Sequence, residues 1–106
     1  MVDKCACMAV VAFGEIKRLQ RVIDKTHESP AFWKPSPLEI EIAEGQHKNA
    51  DKFVMKATEE CKVDMGKVRE NLFEALKAFK NGEAFKALDK VIDADVSLRL
   101  AICPKE

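Results

Sequence analysis

Tyrosine is absent from this 106-residue chain, serine occurs only at Ser29, Ser36 and Ser97, and histidine only at His27 and His47. A nucleophile relay needs a hydroxyl or thiol held against a base and an orienting acid, so hydrolytic catalysis has little material here. No nucleophile elbow or phosphate-cradling glycine loop is present. Glycine and proline number four each, too few for an all-β fold with a turn every ten or so residues. Eighteen Lys plus Arg balance eighteen Asp plus Glu, so no basic stripe marks nucleic acid as a partner. No run approaches the ~20 apolar residues of a membrane span, and no membrane role is expected.

The apolar stretch from Cys5 to Gly14 follows a single lysine, Lys4, and an acid, Asp3. Its period continues into Ile16, Leu19 and Ile23, which reads as the buried start of a helix rather than a secretory leader. The expected location is cytoplasmic, although four cysteines suit an oxidising compartment equally well.

What the chain does have is 47% hydrophobic and 34% charged residues arranged at helical spacing. The expectation is a single all-α domain over residues 1–106: an up-down four-helix bundle with helices at about 3–26, 37–63, 65–80 and 83–102. In the first helix Cys5, Ala9, Ala12, Ile16, Leu19 and Ile23 share a face opposite Lys17, Arg18, Arg21 and Lys25. Val10, Val11 and Phe13 lie off that stripe, so the start of the helix is apolar nearly all round and is either deeply buried or part of a subunit interface. Residues 27–37 carry Pro30, Pro35 and Pro37 and form a linking loop. Phe32 and Trp33 in that loop serve either as a lid on the core or as partner contacts.

Ser36-Pro37-Leu38-Glu39 is a capping box with proline at the first helical position. Asp64 is the expected cap of the third helix, and Asn81-Gly82 its stop. Short links between the second, third and fourth helices make sequential neighbours antiparallel.

That arrangement gathers all four cysteines, Cys5, Cys7, Cys61 and Cys103, at one end, with Cys7 pointing away from Cys5's partners. Four readings stay open. The sulfurs are buried reduced thiols, form a disulfide clamp, bind Zn or Cu(I) with help from Met8 or Met65, or act in intermolecular pairing or redox sensing through Cys7. Against the metal reading, Cys-Ala-Cys is not the Cys-x₂₋₄-Cys knuckle of structural zinc sites, and no cofactor is expected.

Glu44-Gly-Gln-His47 resembles one Glu-x-x-His element of ferritin-like diiron bundles, with Asp51 one turn on as a further ligand. The complete motif needs a second such element, so these three residues make at most a metal half-site, and a surface cluster is the plainer reading. Asp95 stands on the apolar face of the fourth helix among Leu88, Val91, Leu98 and Ile102. A carboxylate there must be paired, with Arg99 at i+4 and Arg69 on the third helix as expected partners in a structural ion pair. The functional expectation is a small non-enzymatic interaction or scaffold protein. It acts on a protein partner or its own oligomer through Val10, Phe13, Phe32 and Trp33. The alternative is a metal- or redox-responsive bundle working through its cysteines.

Overall fold

In the computed structural model, which describes residues 4–24 and 35–102, the chain forms four helices and no strand among those residues. They are α1 (Lys4–Asp24), α2 (Pro37–Cys61), α3 (Gly66–Lys80) and α4 (Ala84–Ile102). Their buried positions follow the helical period. Ala9, Ala12, Ile16, Leu19 and Ile23 line the inner face of α1, and Ala43, Ala50, Val54 and Ala57 that of α2. Alanine on α2 admits its neighbours closely, while Leu72, Phe79, Val91 and Leu98 fill the centre from α3 and α4.

Pairs of touching residues establish the alternating direction. On the α1–α2 seam Cys5 meets Cys61 and Glu15 meets Gln46. Between α2 and α3, Glu44 meets Lys80 and Asp51 meets Arg69. Between α1 and α4, Phe13 meets Arg99 and Lys17 meets Asp95. In each seam one number rises as the other falls, which is the signature of antiparallel neighbours. The bundle is closed, each helix touching two others around a common core, with α1–α2 and α3–α4 the most intimate pairs. It is elongated, 49 × 26 × 19 Å.

The helix ends show how local chemistry sets these boundaries. At the start of α2, Ser36 Oγ accepts from Glu39 N at 3.2 Å and the Glu39 carboxylate accepts from Ser36 N at 2.8 Å, the reciprocal capping box expected. α2 stops at Cys61 rather than running to 63, because Lys62 adopts a left-handed conformation with φ 55° while its N–H still bonds Thr58 O. Asp64 does not cap α3 in the expected way. Met65 occupies the cap position, and Asp64 Oδ1 accepts from Gly66 N at 2.9 Å, a turn made one residue early. At the end of α3, Gly82 (φ 79°) lets Glu83 N bond Ala78 O at 2.9 Å and Gly82 N bond Phe79 O at 3.0 Å. These are the paired bonds of a Schellman stop, and they turn the chain directly into α4.

The linking loop with Phe32 and Trp33, and Cys103 beyond α4, lie outside the described residues.

Candidate functional site

Four places carry chemistry. The first is the sulfur end. Cys5, in the first turn of α1, and Cys61, the last residue of α2, are joined as a disulfide with Cα atoms 4.6 Å apart. Helix reversal alone brings these residues together across 56 positions of sequence. Cys7 is a free, exposed thiol; a step of two residues on a helix turns it far from Cys5. Met65 is buried in the neighbouring core and Met8 packs against it, so neither reaches out as a ligand. Among the described residues no group of three or more His, Cys, Asp or Glu is placed to hold a metal ion.

The second place is the seam between α2 and α3, where the three residues of the supposed half-site stand. Glu44 is engaged by Lys80, and Asp51 receives Arg69 in a two-point bond, Nε to Oδ1 at 2.7 Å and Nη2 to Oδ2 at 3.2 Å. Both carboxylates are therefore committed to cations of α3, one turn on either side of His47. His47 lies half-buried between these pairs, and its Nε2 is enclosed with no hydrogen-bond partner. Burial lowers its pKa from 6.5; Asp51 opposes that shift, while Lys80 and Arg69 add to it.

The third is Asp95, 6% exposed, at the seam of α1 and α4. The Arg69 expected at its side is absent, because that arginine sits on the edge of α3 facing α2. Lys17 comes instead from α1, its Nζ 3.3 Å from Oδ2, and Arg99 Nε stands 3.4 Å from Oδ1 one turn along α4. Both cations also approach the Phe13 ring, at 5.3 Å for Lys17 and 4.7 Å for Arg99. Phe13 is accordingly the half-buried floor of a charged seam. The pair holds two helices in register, a structural task.

The fourth is a surface that sequence reasoning passed over. The outer side of α4 presents Phe85 at 76%, Ile92 at 40%, Val96 at 47% and Leu100 at 60% exposure. Spaced at i, i+7, i+11 and i+15, they form one stripe about 22 Å long at ~1.5 Å per residue. It runs opposite the buried Ala87, Val91, Ala94 and Leu98. The signal was in the spacing: α4 carries two apolar arcs, and only one can face the core. The start of α1 offers less. Val10 is 71% and Val11 36% exposed, beside the half-buried Phe13, a shorter patch than that on α4.

No protein-family model, curated protein or solved structure matches the chain. No helix among the described residues is long and apolar enough to cross a membrane.

Proposed function

We propose that this protein is a non-enzymatic interaction or scaffold bundle that works by binding a protein surface, its own or another's, through the outer face of α4. The observation that carries this reading is the exposed stripe of Phe85, Ile92, Val96 and Leu100 on a helix whose other arc already fills the core. Large apolar side chains scattered singly are ordinary, whereas four aligned along one helix and rimmed by charge form a recognition surface. The test is a photo-crosslinking residue placed at Val96 and, separately, at Lys48 on the outside of α2, in cells making the protein. Protein adducts are expected from position 96 and not from 48, and are lost when Ile92→Glu is added. Equal or absent labelling at the two positions contradicts the reading.

A second reading draws on the Cys5–Cys61 bond, which ties the first turn of α1 to the end of α2. Under it the bundle responds to redox conditions: reduction releases the start of α1, oxidation clamps it. A soft-metal version needs both sulfurs as thiolates, and so belongs only to the reduced form. A thiol count on the protein isolated under acid quench decides this reading. Four free thiols in every growth condition count against a redox role.

A further inference from the structure

The geometry points to a second copy of this chain as the occupant of the α4 face, docked antiparallel about a two-fold axis passing between Asp89 and Lys90. This inference rests on the interaction reading above and gives it a partner.

Charge pattern carries the argument. At ~100° per residue, Lys86, Asp89, Lys90 and Asp93 all fall on one flank of the Phe85–Ile92–Val96 stripe. None of the four joins a salt bridge with another described residue. In an antiparallel two-fold pair, residues on the same flank of each helix meet. Read in chain order the flank is plus, minus, plus, minus, and reversal about its midpoint sets every charge against its opposite. Lys86 meets the second copy's Asp93, and Asp89 meets its Lys90. Each pair occurs twice by symmetry. The same register sets Leu88 against Ile92 of the other copy and drops Phe85 between that copy's Ile92 and Val96, so the apolar and charged layers agree. A parallel pair would turn this flank towards Ala84, Leu88, Asp95 and Arg99, where the two charges are already paired with each other.

Area and net charge agree with a self-pair. At the stated exposures Phe85, Ile92 and Val96 present roughly 300 Å² of apolar surface, taking large apolar side chains at somewhat under 200 Å² each, while Leu100 lies beyond the start of the second copy's α4 in this register. A standard interface buries ~800 Å² per partner, a little over half of it apolar, so one α4 face supplies most of the apolar share. With 18 positive and 18 negative residues, two copies meet without net repulsion.

The experiment uses the full chain in a Cys7→Ser/Cys103→Ser background, so that no intermolecular disulfide contributes, and measures sedimentation from 1 μM to 1 mM. The wild-type face is expected to dimerise, and Ile92→Glu/Val96→Glu to abolish the dimer with helicity retained, since both positions are exposed. Lys86→Asp alone sets acid against acid, and Asp93→Lys alone sets base against base. Each is expected to weaken the dimer about tenfold. Mixing those two variants re-pairs every charge in a mixed dimer and is expected to restore affinity to within about threefold of the parent. A mixture as weak as its components overturns the docking geometry, as does a dimer indifferent to Ile92→Glu/Val96→Glu. A monomer at 1 mM overturns the proposal too. In that case the Val96 crosslinks discriminate: adducts to a different protein leave the interaction reading standing, and none at all removes both.

Discussion

Reduction of the Cys5–Cys61 disulfide should cost this bundle a large share of its stability. The bond closes a loop spanning 56 positions of sequence, half of the chain. In the chain-entropy treatment a cross-link over that length restricts the unfolded ensemble by about 4 kcal/mol. Folded domains are stable by only ~5–15 kcal/mol, so the loss is readily measured. Urea unfolding of the oxidised and the phosphine-reduced protein is the assay. With a slope near 2 kcal/mol/M for a domain of this size, the midpoint should fall by about 2 M. Cys5→Ser/Cys61→Ser should match the reduced protein and lose its response to reductant, whereas Cys7→Ser should unfold like the parent. Oxidised and reduced proteins agreeing within about 1 kcal/mol would refute the reasoning, as would peptide mapping that pairs Cys5 with any cysteine but Cys61.

Gly14 and Gly45 lie within helices, and a methyl added at either meets nothing within 4 Å. Gly14→Ala and Gly45→Ala should each therefore raise stability by about 0.5–1 kcal/mol by restricting the unfolded chain, read as a few degrees in Tm. Because the folded pKa of His47 lies below the unfolded value of 6.5, the unfolded chain takes up a proton first. The contribution of His47 is then fully present above pH 6.5 and is lost as pH falls through 6.5 to the depressed folded value. Urea midpoints should decline over that window in the parent, and less in His47→Gln. At the Asp95 seam, Lys17→Met/Arg99→Met strands a buried carboxylate and should cost about 3 kcal/mol. Adding Asp95→Leu to that pair should recover much of the loss. Calorimetry of the parent and the two variants checks the sign of that recovery.

Much of the fold could be read from the chain because its signals are local. The Ser36–Glu39 capping box, the Asn81-Gly82 stop and the inward stripe of Ala12, Ile16, Leu19 and Ile23 each depend on residues within a turn or two of one another. Asp64 shows the limit of such reading, since a carboxylate can serve the cap or the residue before it, and here Met65 takes the cap. Partner choice was harder still. Asp95 needed a cation, but only the placement of α1 against α4 decides that Lys17 supplies it while Arg69 turns to Asp51. The convergence of Cys5 and Cys61 followed from helix reversal, whereas the bond between them depends on two backbones approaching within 4.6 Å. The α4 stripe escaped notice because Leu88, Val91, Leu98 and Ile102 already gave that helix an inner face. A second arc becomes visible as surface only once the bundle is closed.

The most direct test of the α4 face as the surface that joins two copies of the chain is a backbone NMR dilution series from 1 mM to 20 μM under oxidising conditions. The account predicts concentration-dependent shifts confined to Phe85, Leu88, Ile92, Val96 and the flanking charges from Lys86 to Asp93. Shifts centred on Cys7, Val10 and Val11 at the start of α1, or a spectrum unchanged over that range, would contradict it.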